Sequence, residues 1–250
     1  MTNDFVYGKN SVEALLKTSE RPINKLFVLN NSKNDKKIGF LLKLAKDKHI
    51  PVSVISKDKL ISILKDSNVN HQGIIASISP VEYADFEDTL NKLKAKETFP
   101  LIVILDGVED PQNLGAIVRS SEVLGVDAVI IPERRSAAVT SIVAKVSSGA
   151  IEFIPIIQVT NIVKTIEKLK QLNFWVVGSE YTPESQDVYN VDFNMACAIV
   201  MGSEGKGLSR LVKESCDILI KIPQFGKTNS LNVASALSIV LYEIIRQRKL

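Results

Sequence analysis

Apolar residues fall along this chain in two rhythms. From Pro100 onward they gather in six short, nearly continuous runs: LIVIL (101–105), DAVII (127–131), EFIPI (152–156), FWVVG (174–178), AIVM (198–201) and ILIKI (218–222). Continuous runs of this length predict strands buried on both faces, as in a parallel sheet with helices on either side. The intervening segments predict helices over 114–124, 137–147, 160–171 and 207–215. A last helix, over 231–247, sets Leu231, Ala234, Leu237, Leu241, Ile244 and Ile245 on one stripe and ends in Arg246, Arg248 and Lys249, cations that suit a helix C-terminus. The first 80 residues alternate shorter pieces, among them KLFVLN, IGFLLKLAKDKH, IPVSVIS and GIIASI, which predict a small α/β domain. Between the two, Glu82, Asp85, Glu87, Asp88, Lys92, Lys94, Lys96 and Glu97 surround few apolar positions. The expected organisation is a domain over 1–80, a linker over 81–99 and a second domain over 100–250.

Composition narrows the field. With 45% hydrophobic residues among 250 and only 9 prolines, the chain can bury one large core or two smaller ones. Its 31 Lys and Arg against 28 Asp and Glu leave a formal charge of +3, which permits nucleic acid without demanding it. The start lacks the basic segment of a signal peptide, and no apolar stretch approaches the roughly 20 residues that span a bilayer. A soluble, cytoplasmic protein is expected. Cys197 and Cys216 lie in apolar surroundings without CxxC spacing, and His49 and His71 are far apart, so neither a disulfide framework nor a metal site is expected.

Open parallel sheets bind ligands beyond the carboxyl ends of their strands. Three segments there are crowded with amides, hydroxyls and glycines. LIVIL runs into DGVEDPQNLGAIVR, with Asn113, Gly115 and Arg119; AIVM runs into GSEGKGLSRL, with Glu204; ILIKI runs into the elbow PQFGKTNSLNV, with Ser230 and Asn232. Singly, Asn113 and Ser230 read as helix N-caps and the glycines as turn formers. Gly226-Lys227-Thr228 imitates the end of a P-loop, but the glycine that motif requires five positions earlier is Lys221. The order of the glycines in GSEGKG does not match a dinucleotide fingerprint either.

Together the segments resemble a known family. N-x-G-x-x-x-R at 113–119, G-S-E-G-x-G at 202–207 and I-P…S-L-N-V at 222–233 are similar, in order and separation, to the three motifs of the SpoU (TrmH) family of RNA 2'-O-ribose methyltransferases, within the SPOUT class. FVYGKNSVEALL and HQGIIASI resemble the substrate-binding domain of the branch that methylates a guanosine of 23S rRNA. The resemblance implies an α/β fold whose C-terminal parallel sheet is tied into a trefoil knot, preceded by a small N-terminal α/β RNA-binding domain, and it implies homodimers. It implies S-adenosylmethionine as cofactor, contacted by Gly178, Gly202, Ile222 and Leu231. It departs from the family's pattern at Gln224, Phe225 and Ala234.

The resemblance assigns catalysis to Arg119, Asn113, Glu204, Ser230 and Asn232. A guanidinium with a pKa above about 12 is a poor proton acceptor. Arg119 is therefore expected to bind a phosphate and stabilise a developing alkoxide, with Glu204 as its partner and the others as positioners. Arg134, Arg135 and Lys145 are candidates for a phosphate track, and Lys9, Asn10 and His71–Gly73 for target selection in the N-terminal domain. Two further readings stand beside the 23S enzyme: a tRNA 2'-O-methyltransferase, and a non-catalytic RNA-binding or ribosome-assembly protein.

Overall fold

The computed structural model describes residues 4–18, 22–32, 35–64, 70–79, 82–227 and 230–249, in two compact units. The first holds the chain up to Glu82 and takes back Val139–Phe153; the second holds Tyr83–Ala138 and Ile154 to the C-terminus.

The first unit is built from β1 (Asp4–Tyr7), α1 (Lys9–Thr18), β2 (Ile23–Leu29), α2 (Lys36–Asp47), β3 (Val52–Ile55), α3 (Lys57–Leu64) and β4 (Ile74–Ile78). Its sheet runs β1-β4-β2-β3, antiparallel except for the β2–β3 pair. All five residues of β4 are buried, as a central strand covered on both faces requires. Asp35 caps α2 by accepting the Lys37 and Ile38 N–H groups, so this helix begins at an acidic residue that satisfies two otherwise orphan donors.

The second unit opens with α4 (Phe86–Lys94), inside the expected linker. The charges there cover one face only, while Phe86, Leu90 and Leu93 pack into the core at helical spacing. Then come β5 (Leu101–Asp106), α5 (Pro111–Val123) and β6 (Ala128–Pro132). The chain next crosses to the first unit for α6 (Ser141–Val146) and a short 3₁₀ turn at Ala150–Glu152. Helix and strand were expected over 137–147 and 152–156; the helix is shorter, and β7 starts only at Ile156. At the front the Ala137 N–H bonds to the Val108 C=O and the helix starts only after Thr140; at the back Ser148 and Gly149 both have positive φ, which stops the helix and turns the chain. The chain continues through β7 (Ile156–Val159), α7 (Ile162–Gln171), β8 (Trp175–Ser179), β9 (Gln186–Asp187), β10 (Cys197–Gly202), α8 (Arg210–Ser215), β11 (Ile218–Lys221) and α9 (Val233–Lys249).

The seven strands lie in the order β7-β6-β5-β10-β8-β11-β9, every pair parallel. Ile102, Ile104, Ala198 and Val200 pack with Ile162, Ile166 and Leu169 of α7 on one face. Strand alternation sends Val103, Leu105, Ile199 and Met201 to the other face, where α5 and α9 lie against each other. Of the stripe expected on the last helix, Ala234, Leu237, Leu241 and Ile244 are buried, whereas Leu231 precedes α9 and is exposed. No helix among the described residues is long and apolar enough to cross a membrane.

Candidate functional site

Late-sequence strand β10 is inserted between β5 and β8, so the carboxyl ends of β5, β10, β8 and β11 stand side by side. The loops leaving these four ends, with Arg135 from the loop after β6, line two hollows. One, of about 320 Å³, is lined by the last residue of β8 and the two after it (Ser179–Tyr181), the 202–207 turn, Ile222, and Ser230, Leu231 and Val233. The other, of about 680 Å³, is lined by Asp106–Asp110, Asn113, Arg135 and the other side of the turn. Ser203, Glu204, Lys206, Gly207 and Val233 line both, so the turn after β10 is a shared wall.

The wall is held by backbone and by carboxylates. Ser203 and Gly207 exchange two N–H to C=O bonds of 3.1 and 3.0 Å, closing a tight ring. A Cβ on Gly202 would lie 2.2 Å from the Gly207 carbonyl carbon, so this glycine exists to let the turn close on itself. This is the turn-forming role that the glycines suggest singly, beside the cofactor contact that the resemblance implies for Gly202. Glu180 accepts the Leu208 N–H at 2.9 Å and Asp106 accepts the Ser209 N–H at 2.7 Å. Ser209 is the first residue before α8 and its own side chain makes no cap, so the carboxylate of a neighbouring strand end does that work. Neither Glu180 nor Asp106 was among the expected site residues. The signal available was an acidic residue directly after a buried strand at the carboxyl end of the sheet.

Three of the expected residues meet although they lie 91 and 119 positions apart. Asn113 Nδ2 donates to Glu204 Oε2 at 3.2 Å, and Asn232 Nδ2 donates to Asn113 Oδ1 at 2.8 Å. Asn113 is free for this because the cap of α5 is Asp110, which accepts the Gln112 N–H. Asn232 does two jobs, since its Oδ1 also accepts the Ala234 and Ser235 N–H groups and caps α9. The capping roles considered for Asn113 and Ser230 thus belong to Asp110 and Asn232.

The remaining candidates are placed as follows. Ser230 lines the smaller hollow with Gly202, Ile222 and Leu231. Gly178 does not: it is buried, and a Cβ there would meet Cys216 Sγ and Leu208 Cδ1 at 2.8 Å, so its smallness serves packing. Arg119 is exposed on α5 and lines neither hollow. Six residues of α-helix turn the chain by about 240° from Asn113, which puts the two on different faces. The expected Arg119–Glu204 pair is not formed: Glu204 takes Asn113 instead, and among the described residues no hydrogen bond or ion pair engages Arg119. Thr228 of the elbow lies outside the described residues.

Arg134 lies outside both hollows, and Lys145 sits 4.9 Å over the Tyr7 ring in the first unit. There the Lys9 N–H donates to Gln72 Oε1, and Lys37 reaches both Asn10 and Glu13, gathering the expected target-selecting residues on one surface. His71 Nδ1 accepts the Gly73 N–H, and burial pulls its pKa down, so it is a neutral turn former. Burial pushes Cys197 up to about 11 and Cys216 up to about 12, which leaves no thiolate near neutral pH. Among the described residues no group of His, Cys, Asp and Glu could hold a metal ion.

Residues 100–242 match the model of the SpoU rRNA Methylase family, and residues 5–84 match one described as RNA 2'-O ribose methyltransferase substrate binding. A Staphylococcus aureus (strain MSSA476) chain named for the TrmH family of tRNA/rRNA methyltransferases is 46% identical over 248 residues, 99% of this chain and 98% of its own. Among solved structures, the SpoU methyltransferase AviRb of Streptomyces viridochromogenes, in complex with the cofactor AdoMet, superposes with TM-score 0.79 at 21% identity, covering 98% of this chain and 90% of that one. The TrmH/SpoU tRNA modifying enzyme of A. aeolicus matches 65% of this chain and 85% of its own at 30% identity, with TM-score 0.57.

Proposed function

This chain belongs to the SpoU (TrmH) family of RNA methyltransferases, and on that premise we propose that it methylates a ribose 2'-oxygen of RNA, using S-adenosylmethionine. The favoured target is a guanosine of 23S rRNA, with tRNA as the alternative, and the proposed setting is the cytoplasm. The observation that carries the reading is the shared wall: one hollow sized for a small cofactor and a second, larger hollow, separated by a turn bearing Glu204 and joined by the Glu204–Asn113–Asn232 chain.

The smaller hollow falls in the range of about 300–1,000 Å³ typical of small-molecule sites. Its glycine-bearing turn offers backbone polar groups, and Met201, Ile222, Leu231 and Val233 offer apolar surface. The cofactor supplies a methyl group already activated on a sulfonium, so the chain's task is alignment, worth an effective molarity of about 10⁵–10⁸ M. With the cofactor held by Gly202, Ile222 and Leu231, the ribose 2'-oxygen would take that methyl, the sulfur would keep the bonding pair as a neutral thioether, and the hydroxyl proton would pass to solvent water. Asn113 and Asn232 fix each other's amides, and Ser230 is assigned to orient the ribose. Gly202, Ile222 and Leu231 are assigned to the cofactor, and Gly178 to the packing beneath it.

Arg119 is assigned to the developing negative charge on oxygen. It lies with Gln112 and Val123 on the exposed stripe of α5, and α9 beside it exposes Ile239 and Tyr242. A homodimer closing over these helices would cover the apolar side chains and bring Arg119 into the reaction centre. The trefoil knot belongs to the same reading, supported by the insertion of β10 between β5 and β8.

The test is transfer of labelled methyl from S-adenosylmethionine to deproteinised 23S rRNA and tRNA taken from a strain lacking the protein. Labelling of a single 23S guanosine is expected; labelling of tRNA alone would move the target. Tight RNA binding with no transfer to either would make this a binding protein instead.

A further inference from the structure

The larger hollow is lined by four carboxylates, those of Asp106, Glu109, Asp110 and Glu204, and by two cations, Arg135 and Lys206. An RNA backbone entering such a place meets net negative charge unless a cation is held where the phosphate arrives. Asp106, Asp110 and Glu204 are already committed to the Ser209 N–H, the Gln112 N–H and the Asn113 amide. Arg135, among the described residues, has no hydrogen bond or ion pair, despite facing a hollow with acidic groups within its wall.

Its backbone is unusual as well. Arg135 has φ +58°, the left-handed region that suits glycine or asparagine and that a long side chain rarely adopts. The conformation is imposed from both sides. Glu133 N–H bonds to Val159 C=O and Ala137 N–H bonds to Val108 C=O, each at 2.9 Å, which pins the two arms of the bend to β7 and to the loop after β5. Strain of this kind persists where the surroundings over-determine it, and the inference runs from the outlier to a role. Arg134, one residue earlier, has an ordinary backbone and lies outside the hollow.

We infer that Arg135 is a substrate-binding residue of this enzyme, a pre-positioned guanidinium that takes a backbone phosphate of the RNA next to the ribose being methylated. The inference rests on the proposed 2'-O-methylation and adds the group that seats the substrate from this side of the shared wall. A planar guanidinium grips two phosphate oxygens at once, whereas an ammonium grips as a point charge.

The decisive variant is Arg135→Gly, which removes the cation while allowing the left-handed backbone, so the fold is not put at risk. With 23S rRNA and tRNA extracted from a strain lacking the protein, its KM for RNA is expected to rise at least tenfold. The S-adenosylmethionine Kd should stay within twofold and the melting temperature within a few degrees. The slope of log RNA affinity against log salt should fall by about 1, the loss of one phosphate contact. Arg135→Lys is expected to recover part of the RNA affinity, and Arg134→Ala to behave as wild type in KM. An active wild type with Arg135→Gly unchanged in KM and salt slope would overturn this inference alone; a wild type that transfers no methyl to either RNA would overturn it together with the proposed function.

Discussion

The two ends of the seven-stranded sheet use the same chemistry to opposite effect. At the amino ends, Asp127 accepts the Leu101 N–H and Asp217 accepts the Val176 N–H, and each carboxylate is also paired, with Lys96 and Lys170. Arg248 donates to the carbonyls of Phe193, Phe99 and Met195, so its guanidinium ties the segments leading into β5 and β10. At the carboxyl ends, Asp106, Glu180 and Glu204 also accept hydrogen bonds from the protein, but Arg135 and Lys206 have no hydrogen bond or ion pair among the described residues. One end has its cations spent on the fold; the other keeps them available. On the proposed reading, the unspent cations Arg135 and Lys206 on the larger hollow belong to the working end of the sheet.

Substitutions at the amino ends and among the proposed site residues should therefore separate stability from activity. The largest effect is expected for Arg119→Ala. Methyl transfer should fall by 10²-fold or more, about 3 kcal/mol or above of transition-state stabilisation, with S-adenosylmethionine affinity by calorimetry nearly unchanged. A large loss of cofactor affinity would instead make Arg119 a cofactor ligand. Next comes Gly202→Ala, whose Cβ would collide with backbone that cannot move aside. A stability loss of about 2–3 kcal/mol in urea unfolding is expected, together with weakened cofactor binding; a variant that crystallises with the turn unshifted would refute the account of the wall.

Arg248→Ala leaves three carbonyls without their donor and should cost about 1–3 kcal/mol in the same unfolding assay. Its kcat per folded molecule should equal the wild-type value, the reverse of the Arg119 result. Asn232→Ala loses a helix cap, worth about 1 kcal/mol, and also breaks the link to Asn113, so stability and transfer should both decline. Asn113→Ala should lower transfer with little change in stability, because Asp110 still caps α5.

The smallest effect belongs to Glu243, whose carboxyl the Arg246 guanidinium holds down at about 2, with help from the Gln247 amide. A folded pKa below the unfolded one contributes stability above the unfolded value near 4.5, and that contribution is lost as pH falls towards 2. Melting curves of Glu243→Gln should accordingly lie slightly below wild type at pH 7 and converge with it as the pH approaches 2.

Much of the catalytic-unit sheet was legible in the chain because buried parallel strands announce themselves: β5 and β10 read as unbroken apolar runs and are almost wholly buried. Gln186–Asp187 gave no such signal, being a two-residue polar edge strand paired only to β11. Helix α4 was hidden because its charges outnumber the three apolar residues that decide its packing. The return of Val139–Phe153 to the first unit had no local signature, since its apolar residues suit either core. At the site, the motifs suggested which residues to look for, but no spacing rule brings positions 113, 204 and 232 together; strand order does. The helical rotation between Asn113 and Arg119 could have been worked out from the sequence, and it already forbade a common face.

The ring closed by Ser203 and Gly207 is a septum only a few atoms thick, with a chamber on either side. On the proposed reading, a methyl donor in one chamber and an RNA ribose in the other would lie against opposite sides of the same few backbone atoms, so that a substitution in the partition is expected to be felt by both.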